Sequence, residues 1–333
     1  MSDLGLSTGA HSADADTSAA RFAGASAGWA RFSVGREVRA LDLIRHLLGS
    51  KPAATRVFAE HRAYAVSTGA ERMLQQQTLL HRDDMVEIRW PQRDVAAQRP
   101  ATAAATQRAA APRALEVYWE DPFALAVEKC AGELVHSDGS DKPALISRVF
   151  DYVSAAGGMY AQPVQRLDED TTGIVLVSKA PDFQPLFDEL VAGHDLCKIY
   201  LAVVEGSISA SAFTIDAPIA RDRHDARKMR VGKTGKPSQT KVAVLAQSRG
   251  RSLVACRLMT GRRHQIRVHL AHIHHPIVGD ALYGAPGCPL MLHAYREHFC
   301  HPVTGEPVEI QTTWPSRFST FFSPVLFGED VFS

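Results

Sequence analysis

The stretch from Pro163 to Lys179, PVQRLDEDTTGIVLVSK, limits the possible folds of this chain more than any other. Its second half, Ile174-Val175-Leu176-Val177, is an unbroken apolar run rich in β-branched residues, which predicts a buried strand. Ahead of it, Asp170-Thr171-Thr172-Gly173 has the composition of a turn. It offers hydroxyls and a carboxylate to cap backbone groups, and one glycine able to take positive φ. Asp168 is thus an acid held just before a rigid core strand, beside Arg166 and with Leu167 packed inward. Such an acid is either a structural turn residue or a reactive group, and the local pattern alone favours the first.

The 333 residues leave room for two domains, and 45% hydrophobic with 22% charged residues is ordinary globular composition. Five cysteines (Cys130, Cys197, Cys256, Cys288, Cys300) are odd in number and lack any CxxC spacing. They read as reduced thiols in a cytoplasmic protein rather than a disulfide framework. No apolar run approaches the roughly 20 residues a membrane helix needs. The N-terminus lacks the basic-then-apolar order of an export signal. The expected location is the cytoplasm, with no membrane partner and a monomeric state.

Residues 1–28 are mostly Ala, Ser, Gly, Thr and Asp and predict a disordered tail. A small α/β module is expected over 29–92. Val38, Leu41, Ile44, Leu47 and Leu48 recur at helical spacing, a second helix is expected from Ala53 to about His61, and short strands around 63–66 and 85–90. Residues 93–114, rich in Ala, Gln, Thr, Arg and Pro, read as a linker. From 115 the pattern turns to strands and amphipathic helices, and the remainder is expected to form one domain. Pro143 to Ser154 predicts a helix opened by proline. Phe183, Leu186, Phe187 and Leu190 mark another, and Lys198 to Gly206 a strand carrying Tyr200.

A net charge of +1 by itself announces no polyanionic partner, but it hides a local excess. Between Arg221 and His272 there are fourteen lysines and arginines against two acids, Asp222 and Asp225. That is what a nucleic-acid surface requires. Residues 221–240, with Arg227, Lys228, Arg230 and Lys233, hold few apolar anchors and predict a mobile loop. Thr260-Gly261 then opens a helix in which Ile266, His269, Leu270 and Ile273 share one face, with Arg263 and Arg267 on another. A helix start of this kind suits an anion. The nearby histidines and Cys300 lack a His-Glu-x-x-His arrangement or paired cysteines, so no metal is expected.

Three ordered strings carry a resemblance. Gln165-Arg166-Leu167-Asp168 with Thr171-Thr172-Gly173 and Lys179 is similar to the His-Arg-Leu-Asp, Thr-Ser-Gly and Lys signature of the RluA-type pseudouridine synthases, with Gln165 for His and Thr172 for Ser. Lys198-x-Tyr200 up to Gly206 resembles the second signature. Gly261-Arg262-x-His264-Gln265-Ile266-Arg267-x-His269, with Gly279-Asp280 and Tyr283-Gly284, resembles the third. Lys129, Ala131 and Gly132 match the family's opening segment, where Glu128 and Cys130 depart from it. The segment Leu79 to Ile88 resembles the end of an S4-type RNA-binding module, which makes Arg36, Arg39, Arg45, Lys51, Arg56 and Arg62 candidate phosphate contacts.

The resemblance implies an α+β fold: a catalytic domain over 115–333 with a central, mostly antiparallel sheet flanked by helices, behind an S4-like module. It implies isomerisation of uridine to pseudouridine in structured RNA, ribosomal in preference to transfer RNA, without cofactor or metal. Asp168 is implied as the catalytic acid, acting either as a nucleophile or by taking a sugar proton. Arg267 would pair with it and favour its charged form, and Tyr200 would lie against the base and accept the last proton. Arg166, Arg262, Arg263, His264 and Gln265, with the four basic residues of the 221–240 segment, are the expected RNA contacts. Two other readings compete: a non-catalytic RNA-binding protein of ribosome assembly, and a two-carboxylate glycosidase using Asp168 and Asp170. The second fails because those acids share one turn and cannot flank a sugar.

Overall fold

The computed structural model describes residues 19–92, 114–140 and 142–332. Residues 1–18 of the expected tail and nearly all of the expected linker lie outside them. The chain divides into two units, Met1–Pro91 and Gln92–Ser333.

In the first unit, the tail expected through residue 28 is corrected. Ala20–Ser26 is a strand, paired antiparallel with Trp29–Val34. Its own side chains carry no apolar stripe, so the backbone ladder holds it, against a neighbour whose Ala30, Phe32 and Val34 are buried. The five-stranded antiparallel sheet continues through Met85–Arg89 and Ala63–Ser67 to Ala70–Met73. The helix Ala40–Leu48 buries Leu43, Ile44 and Leu48 and ends at Gly49 in the left-handed region. The next helix starts at Lys51, earlier than expected. Ser50 caps it by accepting from the Ala53 amide, and Pro52 sits in its first turn. Of the basic side chains proposed to meet phosphates, Arg62 is committed to Glu60 and the Arg89 carbonyl.

The second unit is built on a ten-stranded sheet. Its main path runs Ala212–Asp216, Gln239–Ser248, Arg251–Leu258, Cys197–Glu205, Leu292–Cys300, Thr172–Ser178, Ala124–Lys129, Val117–Glu120. Gln162–Pro163 and Pro307–Gln311 pair alongside. Neighbours are antiparallel except Thr172–Ser178 with Leu292–Cys300, which run parallel. The strand Thr172–Ser178 is buried at every position, as its β-branched run implies. The helix Leu145–Ala155 sets Leu145, Val149 and Val153 against Val127, Val175 and Val177. Each such side chain contributes about 1.5–3 kcal/mol of burial. Ile266 and Leu270 of the helix Gln265–His272 join the larger cluster around Ile199–Val204 and Leu253–Cys256.

The mobile loop expected over 221–240 is also corrected. Ile219–Arg221 and Met229–Val231 form an antiparallel hairpin. Asp222 closes its turn by accepting from the His224 and Asp225 amides. The returning segment bonds back through Gly232 to Pro218 and Lys236 to Ile219. Three-residue strands with charged side chains carry no apolar period, so the pattern hid them.

Candidate active site

The sheet register brings the Asp168 turn and Tyr200 together. Gly173 and Tyr200 stand opposite the same residue, Ala294, from either side of the strand Leu292–Cys300. Gly173 has φ of +110°, and a Cβ there would lie 2.2 Å from the Ala294 carbonyl oxygen, so only glycine permits this approach. Two strand spacings, roughly 10 Å, separate the flanking backbones. A bulge between Ile199 and Tyr200 shifts the register at that rung, a device that re-aims side chains. Tyr200 pairs on its other side with Cys256. From that strand the chain passes through Thr260-Gly261 into the helix Gln265–His272, which carries Arg267.

Arg267 is 6% exposed and serves two acids. Its Nε and Nη2 donate to the two oxygens of Asp280 at 2.8 Å each, and its Nη1 donates to Asp168 Oδ2 at 3.2 Å. Burial would raise the Asp280 pKa, but the Arg267 hydrogen bond and charge, with the Leu282 and Tyr283 amides, carry it below the ordinary carboxylate value. Gly279 makes this possible: its φ is +79° and a Cβ would meet the Pro289 carbonyl at 2.3 Å. The fork of Arg267 is thereby aimed at Asp168 by a second carboxylate that the sequence reading quoted but gave no role.

His264 adds a second contact to Asp168, its Nε2 lying 3.9 Å from Oδ1. Burial, helped by Arg267 and Arg263 and opposed by Asp168, lowers its pKa and favours the neutral ring. Nδ1 is 2.8 Å from the Tyr283 hydroxyl, which also accepts from the Met229 amide of the basic hairpin. Tyr200 is 6% exposed. Burial first, then the charges of Glu297 and Asp168, raise its pKa far above the ordinary phenol value.

Lys129, left between roles by the sequence, is fully buried and donates to the carbonyls of Cys130, Glu169 and Thr171 at 3.0, 2.6 and 2.8 Å. It braces the turn that follows Asp168. Burial lowers its pKa to about 8, against the raising effect of Glu133, Asp170 and Asp168. Thr172 also uses its hydroxyl in this brace, 2.6 Å from His293 Nδ1, whose other nitrogen meets Thr312 at 2.8 Å. Burial pushes His293 down to about 3, so it is a neutral link.

The expected RNA contacts separate into two groups. Arg166, Arg227, Lys233 and Arg263 are exposed, and Arg262, His264, Lys228 and Arg230 are partly exposed. Arg227 pairs with Asp225 in its own turn, and Arg263 donates to the Arg227 carbonyl at 3.1 Å. Gln265 does not belong with them. It is 3% exposed, and its amide is spent on Thr260, the Arg262 amide, the Gln239 carbonyl and Thr240. It fastens the helix start rather than reaching a ligand.

Among the described residues, Cys197, His298 and Glu329 have ligand atoms within 4.8 Å of one another, close enough for a metal ion. Glu329 is bonded to Arg257 and sits 2.6 Å from His298, and burial pushes the Cys197 thiol up to about 11. This set reads as an ion pair beside a protonated thiol.

Comparison with known proteins shows which family the chain resembles. The family model described as RNA pseudouridylate synthase matches residues 124–272. The chain is 36% identical over 239 residues to the ribosomal large subunit pseudouridine synthase D of Xanthomonas campestris, covering 66% of this chain and 72% of that protein. It is 34% identical over 233 residues to the tRNA pseudouridine synthase C of Yersinia pestis, covering 63% of this chain and 90% of the relative. Among solved structures, human RNA pseudouridylate synthase domain containing 1 superposes with a TM-score of 0.54 at 26% identity, over 65% of this chain and 91% of that one.

Proposed function

This chain belongs to the RluA-type RNA pseudouridine synthase family, and on that premise we propose that Asp168, Tyr200 and Arg267 are its catalytic residues. The protein is an isomerase that converts uridine to pseudouridine in RNA. The reaction breaks the bond from uracil N1 to ribose C1′, turns the base, and forms a bond from C5 to C1′. The C5 proton is lost and N1 gains one, so the net change is a rearrangement.

The observation that carries the assignment is the Arg267–Asp168 contact at 3.2 Å, on a guanidinium already locked by Asp280. An acid with a turn role alone has no need of a buried arginine aimed at it. Nucleophilic attack at C1′ and removal of a sugar proton both require a carboxylate beside the ribose, and the Arg267 guanidinium holds this one in place. Tyr200 offers its ring to the base. Because its phenol is held protonated, it enters the site as a hydroxyl, and the role of final base expected from the sequence would first require loss of that proton.

The target uridine must leave its stack, at a few kcal/mol and least in loops. Arg166, exposed and two residues before Asp168 in the chain, is the candidate to fill the vacated position or meet a phosphate. Ribosomal RNA is the favoured substrate, in keeping with the named activity of the Xanthomonas relative, and transfer RNA is the alternative. The further elements of the proposal are an S4-like RNA-binding module over 29–92, a monomeric state and a cytoplasmic location.

The test is to map pseudouridines in ribosomal and transfer RNA from cells lacking the protein, then restore wild type or Asp168→Asn. The expected result is one or more ribosomal sites lost, regained with wild type and not with the variant. Recovery with Asp168→Asn removes the catalytic assignment. Loss confined to transfer RNA removes the substrate assignment.

A further inference from the structure

Gln165 and Glu297 form a buried pair whose hydrogen bonding is half complete. Gln165 is 8% exposed and Glu297 is 1% exposed. Gln165 Nε2 donates to Glu297 Oε1 at 2.7 Å. The other two polar atoms of the same groups, Gln165 Oε1 and Glu297 Oε2, are both buried without a partner. Each is an acceptor if Glu297 is ionised, and neither can then satisfy the other. One proton on Glu297 Oε2 changes this: the carboxyl then donates to Gln165 Oε1 while accepting from Nε2, as in a reciprocal acid–amide pair. A single proton satisfies both orphaned atoms.

We propose that Glu297 is held protonated and, with Gln165, forms a reciprocal pair that positions the Asp168 segment against the strand Leu292–Cys300, the neighbour of the strand bearing Tyr200. The proposal rests on the reading of Asp168 and Tyr200 as catalytic, and the two residues of the pair are positioning residues. Gln165 lies three residues before Asp168. Glu297 belongs to the strand Leu292–Cys300, opposite Lys198, two residues before Tyr200. The pair thus ties the Asp168 segment to the strand that lies between it and the Tyr200 strand.

The surroundings suit a neutral carboxyl. Burial raises the Glu297 pKa to about 8, with Lys198 and the Gln165 hydrogen bond opposing. Lys198 is itself largely buried, its pKa lowered by burial and raised by Glu297. The other titratable groups in electrostatic reach, Cys197 and Tyr200, both have raised pKa values and stay neutral at pH 7. On the far side, Ile310 of the strand Pro307–Gln311 stands opposite Glu297 and adds no charge. A raised carboxyl pKa means the proton is present below about 8 and lost as pH rises through that value. Loss of the proton leaves both buried oxygens without a donor.

Two variants and one spectrum test this. Glu297→Gln keeps a reciprocal pair, amide to amide, without a titrating proton. Turnover of an RNA containing the mapped uridine is expected within about twofold of wild type at pH 7. Gln165→Leu breaks the pair, and turnover is expected to fall roughly tenfold to a hundredfold, as small misplacements do, with RNA affinity unchanged. Across pH 7 to 9.5, wild type is expected to lose activity along a limb that Glu297→Gln lacks, and the variant comparison removes any contribution from Tyr200. Independently of activity, the infrared spectrum of wild type at pH 7 is expected to show a protonated-carboxyl carbonyl band absent from Glu297→Gln. Absence of that band, or identical alkaline limbs, overturns the proposal. A Glu297→Gln enzyme as impaired as Gln165→Leu also overturns it. If both variants and wild type are inactive on every RNA while the band is present, the fault lies in the catalytic reading and not in the pair.

Discussion

Arg267 and Arg227 carry the same guanidinium in opposite settings. Arg267 is buried, its fork shared between Asp280 and Asp168, while Arg227 is exposed and pairs with Asp225 two residues away. The first sits on a helix packed into the sheet core, the second in the turn of a short hairpin. On the proposed function, positioning and binding fall to different arginines. A buried cation aims a carboxylate, whereas the exposed ones are free to meet the polyanion that the proposed function requires. Hydrogen bonds that join the two regions include Arg263 to the Arg227 carbonyl, and Tyr283 between the Met229 amide and His264.

The comparison is broken most severely by Arg267→Met. It leaves the Asp280 carboxylate buried without its partner, and removing one member of a buried pair costs about 3–5 kcal/mol. Denaturant unfolding should show that loss, with turnover abolished, whereas Arg227→Met should change stability by less than about 0.5 kcal/mol. Equal effects would erase the distinction. Gly173→Ala comes next. The positive φ alone costs about 1–3 kcal/mol, and the Ala294 carbonyl stands in the way of the added carbon. Thermal melts should register it, together with loss of turnover.

Replacing Arg227, Lys228, Arg230 and Lys233 together by glutamine should leave the melting temperature nearly unchanged and turnover at saturating RNA within about twofold. RNA affinity should fall, and each phosphate contact removed should flatten the salt dependence by roughly 0.7–0.9 in log–log slope. An unchanged slope would show that the hairpin does not touch RNA. The smallest effect expected is at acid pH. Asp280 has a depressed pKa in the folded protein, so its stabilisation is present above the ordinary carboxylate range and lost as pH falls through the depressed value. Asp280→Asn should flatten this part of the acid unfolding curve.

Much of this was legible before the structure, for physical reasons that can be named. The strand after Asp168 announced itself because a β-branched run next to a glycine-ended turn has few other solutions, and Gly173 is the point where that strand meets its parallel neighbour. Arg267 was found through its place in a motif rather than through periodicity. Its partner Asp280 depends on a backbone reversal packed against Pro289, which a Gly-Asp dipeptide does not disclose. Gln265 was misassigned because sequence reveals hydrogen-bonding capacity but not where it is spent. Lys129 closes an apolar strand, and nothing local says that three carbonyls await it. Ala20–Ser26 was missed because its pairing lies in the backbone of the next strand.

The central claim is that Asp168, Tyr200 and Arg267 meet on one extruded nucleotide. The direct measurement is a crystal structure of the protein with an RNA whose mapped target uridine carries fluorine at C5, where the final proton cannot leave. The account predicts that nucleotide out of its stack, its ribose C1′ at contact distance from Asp168, its base against the Tyr200 ring, and Arg267 still bonded to Asp280. A target nucleotide bound elsewhere, or a different acid nearer its C1′, would contradict it.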